Sequence, residues 1–153
     1  MDKAVFVGRG RYVEFVRLVM SITVLNRFIK LTILSIVVLS LVMLFLLPSL
    51  TPLLLLTAAS LVVSMVLHEF THFVILNTDV VVVFENGLVR IEAETDGVRA
   101  MASALMGPLA PFFIGVAIWH YHPLPAAPFI AHIATLPFDI LGALGVKICE
   151  KQC

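Results

Sequence analysis

Charged residues are scarce in this chain. Of its 153 residues, 13% are charged and 61% are hydrophobic. A soluble domain of this length needs a charged surface that this composition cannot supply. The apolar residues also form long runs, which is typical of segments surrounded by lipid. The composition therefore excludes an ordinary soluble domain. It predicts a multi-pass membrane protein in a lipid bilayer, folded as one domain over 1–153, with no nucleic-acid partner.

The first thirty residues also do not have the pattern expected of a cleavable signal sequence. Charges are spread through residues 1–30, and no small-residue cleavage site follows a short apolar core there. Six of the ten Lys and Arg residues precede the first long apolar run, so the positive-inside rule predicts a cytoplasmic N-terminus. These six residues are Lys3, Arg9, Arg11, Arg17, Arg27 and Lys30.

Cysteine is limited to Cys149 and Cys153, close to the C-terminal end. An even number of membrane spans would return that end to the cytoplasm, where thiols stay reduced, so we expect free thiols rather than a disulfide. The Cys-x-x-x-Cys spacing leaves metal binding as an alternative, but no further ligands lie nearby in the sequence.

Four apolar stretches are long enough to cross a bilayer as helices. Pro48 and Pro52 oppose continuation of the first stretch into the second. Four crossings return the C-terminus to the cytoplasm, and Lys147 and Lys151 at that end agree with this orientation. The predicted spans are 31–47, 53–76, 101–119 and 127–146.

The segment before the first span, 1–30, predicts a cytoplasmic or interfacial helix. Polar residues recur on one side of an otherwise apolar stretch over 11–29, beginning with Arg11, Glu14 and Arg17. A helix with that stripe suits the cytoplasmic membrane surface. A tilted additional span over the same residues is the competing interpretation.

The region 78–100, between the second and third spans, has the pattern of β-strands. Two stretches rich in Val and Ile, 79–85 and 88–94, are separated by Asn86-Gly87, a strong signal for a tight hairpin. Val98–Met101 could add a third short strand. The predicted fold class is an all-α membrane protein of about four spans, with an interfacial helix and a small cytoplasmic β-hairpin or sheet.

The second predicted span contains the motif His68-Glu69-Phe70-Thr71-His72. On a helix, His68 and His72 project from one face about one turn apart, so both imidazoles can bind a single Zn²⁺. Glu69 can take a proton from a water activated by the metal and deliver it to the leaving amine. Ionisable groups are costly within a membrane span and usually mark functional sites. The motif therefore predicts a zinc-dependent hydrolase, although a polar patch packed against another helix has the same pattern.

A catalytic zinc site needs a third protein ligand, and Asp139 is the main candidate. It is the only acidic residue in the third or fourth predicted span. A lone carboxylate in a membrane helix is costly without a cation, so a metal is its natural partner. The alternative is an Asp hydrogen-bonded to a helix end or to His132. Glu92 and Glu94, in the predicted hairpin, would compete as ligands only if the sheet folded over the site.

His132 precedes Asp139 by about two helical turns and should share its helix face. It could bind the metal, hydrogen-bond a ligand, or donate to the oxyanion of the tetrahedral intermediate, and we favour the donor role. His120 and His122, beside an aromatic cluster at the far end of the third span, are expected to anchor that end at the membrane interface.

These residues resemble the site-2 protease family of intramembrane zinc metalloproteases. The resemblance lies in the His68-Glu69-x-x-His72 motif within a membrane helix, the Gly107-Pro108-Leu109-Ala110 stretch in the next span, and Asp139 in a later span. It covers about residues 53–146. It implies zinc-dependent proteolysis of membrane-anchored proteins within or at the edge of the membrane, near the cytoplasmic side.

The chain also departs from the family pattern. The family's glycine-proline stretch usually continues with Asn, where this chain has Pro111. Its late motif has the form Asn-x-x-Pro-x-x-x-x-Asp-Gly, and aligning it on Asp139 puts Ala131, Ala134 and Ile140 at the other three positions. The chain is therefore expected to be a divergent small member. Its sequence does not predict an oligomeric state.

Three other functions also fit this sequence. The first is a membrane zincin of another lineage, with a Glu as third ligand. The second is a metal transporter or sensor that binds metal through His68, His72 and Asp139 without hydrolysis. The third is an inactive protease relative that acts as a scaffold. Replacing Glu69 with Gln would separate them, because only hydrolysis requires that carboxylate.

Overall fold

The secondary structure follows the alternation of long apolar stretches with short regions rich in β-branched residues. The computed structural model of this chain describes residues 3–85 and 88–150. The predictions that concern Asn86-Gly87, Lys151 and Cys153 fall outside these residues. The elements are β1 (Lys3–Val7), α1 (Tyr12–Leu25), α2 (Arg27–Leu46), α3 (Thr51–Leu76), β2 (Val80–Glu85), β3 (Leu88–Ala93), α4 (Gly97–Trp119), α5 (Pro123–Ala131) and α6 (Leu136–Glu150), with 3-10 turns at Pro48–Leu50 and His132–Thr135.

Four helical segments within the described ranges are long and apolar enough to cross a membrane. Their number agrees with the prediction, and their presence suggests a membrane protein. The first segment is only 6% buried inside the protein, so most of its Leu, Val and Phe side chains are exposed. Such a surface suits lipid, in which apolar side chains carry no hydration penalty. The segments are Arg27–Leu46, Pro48–Leu76, Gly97–Trp119 and Pro123–Leu144.

The helix before the first span ends earlier than the sequence predicted. Asn26 interrupts it, and the Asn26 side-chain oxygen accepts a hydrogen bond from the backbone N–H of Phe28 at 2.9 Å. Asn is a favoured residue at this position, because its side chain satisfies one of the free N–H groups of a new helix. The predicted continuous helix over 11–29 is therefore wrong at this point, and α2 already begins at Arg27.

α1 packs onto α3, the helix that carries the His-Glu motif. The rings of Phe15 and Phe73 are stacked, with centroids 4.3 Å apart and planes 5° from parallel, and both side chains are buried. Tyr12 contacts Phe73 edge-on at 5.7 Å. Val7 and Val80 from the sheet join the same buried cluster. The N-terminal part of the chain thus contributes to the core beside α3.

The sheet has three strands in the order β1-β2-β3, and both pairings are antiparallel. β2 and β3 form the predicted hairpin. The third strand comes from the N-terminus, where Lys3 pairs with Phe84 and Val7 pairs with Val80. Just after β1, the backbone N–H of Arg9 donates to Asp79 at 2.6 Å, which ties the N-terminal segment to the start of β2.

The predicted third strand at Val98–Met101 is wrong, because these residues form the first turn of α4. The Asp96 side chain accepts hydrogen bonds from the backbone N–H groups of Val98 at 3.0 Å and Arg99 at 2.8 Å. Satisfying these N–H groups starts a helix immediately after Asp96. α4 then continues without a break through Pro108 and Pro111, both of which are buried.

The sequence predicted one continuous helix over 127–146 for the fourth span, but the structure shows two helices there. α5 ends at Ala131, the chain makes a 3-10 turn, and α6 begins at Leu136. Pro137 has no N–H to bond back into the preceding helix, but it is well tolerated in the first turn of a new one. The interruption is important for the candidate site, because His132 begins the 3-10 turn and Asp139 follows it.

Candidate metal centre

The two histidines of the motif converge on one point. They lie one turn apart on α3, and their Nε2 atoms are 3.1 Å from each other. His68 is buried, with 5% of its surface exposed, and His72 is largely buried. Two nitrogens that each bind a tetrahedral zinc at about 2.0–2.1 Å lie about 3.3 Å apart. The observed separation therefore fits two ligands of one metal ion.

Asp139 of α6 approaches the same two nitrogens. Its Oδ2 lies 3.6 Å from Nε2 of His68, and its Oδ1 lies 3.9 Å from Nε2 of His72. The Thr135 hydroxyl, in the 3-10 turn, donates to Oδ2 at 3.1 Å. This hydrogen bond orients the carboxylate. From the sequence, His132 was considered as the hydrogen-bond partner of Asp139, but the structure shows Thr135 in that role.

The group formed by His68, His72 and Asp139 could hold a metal ion. One ligand atom from each residue lies within 4.8 Å of the others. The distances from Asp139 are a few tenths of an ångström longer than between two atoms that bind one zinc, so a small rotation of the carboxylate would complete the set. Two imidazoles and a carboxylate are donors that zinc accepts, and other divalent metals bind the same donors.

Glu69 lies directly beside the first ligand and is partly buried. Within the described part of the chain, no hydrogen bond or ion pair to its carboxylate is present. A buried carboxylate without such a partner is costly, and residues kept in that condition are often functional. Among the described residues, the Glu69 carboxylate thus has no protein group that neutralises it.

α4 contacts the His72 ring at two places. The Ser103 hydroxyl lies 2.9 Å from Nδ1 and 3.4 Å from the backbone carbonyl oxygen of His72. One turn further along α4, Gly107 faces the same ring, and a Cβ atom at Gly107 would collide with Nε2, Cε1 and Cδ2 of His72. The glycine of the Gly-Pro stretch therefore allows the backbone of α4 to approach the ligand directly.

His132 lies beside the centre but outside its set of three ligands. Its ring stacks on that of His68, with centroids 5.0 Å apart and planes 27° from parallel. Its Nε2 lies 3.2 Å from the hydroxyl of Ser64, which is buried one turn before His68 on α3. Its Nδ1 has no hydrogen-bond partner among the described residues. His132 is therefore adjacent to a candidate metal ligand.

The other residues considered from the sequence do not join the centre. Glu92 and Glu94 are exposed, and Glu92 forms an ion pair with Arg90 at 2.5 Å. His120 and His122 are exposed at the far end of α4. Because an α-helix rises 1.5 Å per residue, His120 lies about 20–25 Å along α4 from the two contacts with His72.

Sequence reasoning missed Ser64, Ser103 and Thr135. A usable signal was present for two of them, because Ser64 lies four residues before His68 and Thr135 lies four residues before Asp139, spacings that place side chains on one helix face. No local pattern marks Ser103, which contacts His72 from another helix.

Comparison of the chain with protein-family models, with curated proteins and with solved structures gave no match. The resemblance to the site-2 protease family therefore depends on the motif residues alone.

Proposed function

We propose that this chain is an intramembrane zinc metalloprotease, a divergent small member of the site-2 protease family. Its substrates would be membrane-anchored proteins, cleaved near the cytoplasmic side of the bilayer, with both termini of the enzyme in the cytoplasm. The observation that carries the proposal is the convergence of His68, His72 and Asp139 with the unpartnered carboxylate of Glu69 beside them.

The roles of these residues follow from their positions. A zinc ion held by His68, His72 and Asp139 would supply Lewis-acid activation of water and of the scissile carbonyl group. Glu69 would take the proton from the attacking water and pass it to the leaving amine. General acid–base groups in such positions contribute about 10²–10⁴-fold to the rate.

His132 is proposed to hydrogen-bond the substrate oxygen that becomes negative during attack. The Ser64 hydroxyl donates to the carbonyl oxygen of Leu61 at 3.1 Å, and its oxygen lies 3.2 Å from Nε2 of His132. Because that hydroxyl has one hydrogen, it then accepts from an N–H at Nε2. Nδ1 has no partner in the described structure, and it would donate to the substrate oxygen when the ring carries a hydrogen on both nitrogens.

The sheet provides a means of holding substrate. A peptide bond in a helix is hydrogen-bonded and shielded, so a membrane-anchored substrate must be extended before it is cleaved. β2 already has a partner on each side, which leaves the outer edges of β1 and β3 for an added strand. β3 leads directly into α4, the helix that contacts His72.

The test compares wild type with Glu69→Gln, both purified and reconstituted with membrane proteins of the expression host as the substrate mixture. New peptide termini are quantified by mass spectrometry, and zinc content is measured on the same samples. We expect wild-type-specific termini that fall by about 100-fold or more in the variant, with zinc retained.

An exposed glutamate supplies the matched control. Glu14→Gln should leave both cleavage and zinc content unchanged, because Glu14 is exposed on α1 and lies outside both the centre and the sheet. Equal cleavage by wild type and Glu69→Gln, or no wild-type-specific termini from zinc-loaded protein, would contradict the protease proposal. Zinc binding without cleavage would favour a metal transporter, a sensor or a scaffold.

A further inference from the structure

The two contacts of Ser103 with His72 allow the hydrogen atoms to be assigned. The Ser103 hydroxyl has one hydrogen, and the carbonyl oxygen of His72, at 3.4 Å, can only accept it. If the hydroxyl donates its hydrogen to that carbonyl oxygen, its own oxygen must accept a hydrogen bond from an N–H at Nδ1 of His72, 2.9 Å away. This arrangement forms both hydrogen bonds at once, whereas the reverse tautomer of His72 forms only one.

The tautomer with hydrogen on Nδ1 has a direct consequence for metal binding. A neutral imidazole carries one ring hydrogen, so Nε2 of His72 then has a free lone pair. That same Nε2 is the atom that lies 3.1 Å from His68 and 3.9 Å from Asp139. Ser103 bonds Nδ1 on one side of the ring, and in this way it leaves Nε2, on the side of the metal centre, without a hydrogen.

We propose that Ser103 is a positioning residue that holds His72 in the tautomer and orientation required for metal binding. The inference rests on the metal centre proposed above and deepens it. Ser103 itself does not contact the metal or the substrate. It is 3% exposed and lies within the α3–α4 interface, so water does not readily replace its hydroxyl group.

Gly107 completes the restraint on the ring. Because a Cβ atom at Gly107 would collide with three atoms of the imidazole, the ring lies directly against the backbone of α4. Ser103 bonds the ring at Nδ1, and Gly107 limits its movement on the side of Nε2 and Cε1. Removing the hydroxyl leaves the packing in place but removes the preference for one tautomer.

Loss of a hydrogen bond to the second ring nitrogen of a metal-binding histidine typically weakens metal binding by about 10–100-fold. We therefore expect Ser103→Ala to bind Zn²⁺ about 10–100-fold more weakly than wild type, measured in detergent by competition with a zinc-chelating dye. Ser103→Thr keeps a hydroxyl group and should recover most of the affinity. Thermal unfolding of the zinc-free proteins reports whether each variant is folded.

Ser40→Ala is the matched control. Ser40 is also a buried serine, 2% exposed, but its hydroxyl donates to the carbonyl oxygen of Ile36 in its own helix at 2.7 Å. Zinc affinity of this variant should remain within about twofold of wild type, far from the loss expected at Ser103. An equal loss in both variants would show a general packing effect and overturn the inference.

A second measurement reads the tautomer directly in zinc-free wild-type protein. Long-range ¹H–¹⁵N NMR spectra of histidine-labelled protein should show His72 with hydrogen on Nδ1, and Ser103→Ala should give a mixture or the other tautomer. Hydrogen on Nε2 in wild type would overturn the inference even if Ser103→Ala proved unstable.

The two proposals can fail separately. Unchanged zinc affinity in folded Ser103→Ala would reject the positioning role and leave the metal centre intact. Absence of zinc binding by wild type would reject the metal centre, and the NMR spectrum of the zinc-free protein would still test the contact between Ser103 and His72.

Discussion

Oδ2 of Asp139 lies 3.6 Å from Nε2 of His68, although α4 and α5 separate the two residues along the chain. The approach is possible because α6 starts anew after the 3-10 turn at His132–Thr135, so Asp139 lies in the first turn of a separate helix. The third candidate ligand is thus supplied by the last described helix, and its removal is the most direct test of the centre.

Asp139→Ala should abolish stoichiometric zinc binding. Removing a ligand should cost more than the 10–100-fold typical of losing a ligand's hydrogen-bond partner. Metal content of detergent-purified protein, measured by inductively coupled plasma mass spectrometry, should be about one zinc per chain in wild type and well below that in the variant. His132→Ala should retain zinc because His132 lies outside the three-ligand group. Zinc retained after Asp139→Ala would reject this ligand assignment.

Gly107→Ala should weaken zinc binding and destabilise the protein. The added methyl group must displace the His72 ring or separate α4 from α3, and overpacking of this kind typically costs about 1–3 kcal/mol. The matched control is Gly142→Ala in α6, where a Cβ atom meets nothing within 4 Å. Alanine there should be neutral or stabilising by up to about 1 kcal/mol, because it favours the helix. Thermal unfolding and zinc titration of both variants distinguish these outcomes.

Acidification should weaken the start of α4. The hydrogen bond from the backbone N–H of Arg99 is the main reason that the pKa of Asp96 is lower than usual. A carboxylate with a lowered pKa in the folded state contributes stability above its unfolded pKa, near 4, and that contribution is lost as the pH falls further. Asp96→Asn keeps a helix-capping side chain without a charge, so it should remove this part of the pH dependence. Equal slopes of melting temperature against pH between 5 and 3 in both proteins would contradict the prediction.

Both termini should lie on the cytoplasmic side. An even number of spans returns the chain to its starting side, and the basic N-terminal segment favours the cytoplasm. Fluorescent-protein and alkaline-phosphatase fusions at each end, expressed in bacteria, should give fluorescence and no phosphatase activity at both ends. Opposite results at the two ends would contradict the prediction and would mean an odd number of crossings, either because one candidate segment does not cross or because the α1 stretch crosses as well.

Local properties of the chain predicted the number of apolar helices, the β2–β3 hairpin and the pair of histidines. Each depends on composition or spacing within a few residues: the length of an apolar run, an Asn-Gly turn signal, two histidines one helical turn apart. The proximity of Asp139 to that pair was also anticipated, because a carboxylate within a membrane span needs a partner and few are available.

The remaining features depend on contacts between segments distant in the chain. β1 is only five residues long, and its pairing with β2 stabilises it as a strand. Asn26 and Asp96 are polar residues that in sequence fit a turn as well as a helix start, and their hydrogen bonds to the backbone decide between the two. Ser103 has no distinguishing neighbours, and it acquires its role because α4 packs against α3 closely enough for its hydroxyl to reach Nδ1 of His72. Periodicity and residue type specify which side chains a helix presents, whereas packing between helices specifies which of them meet.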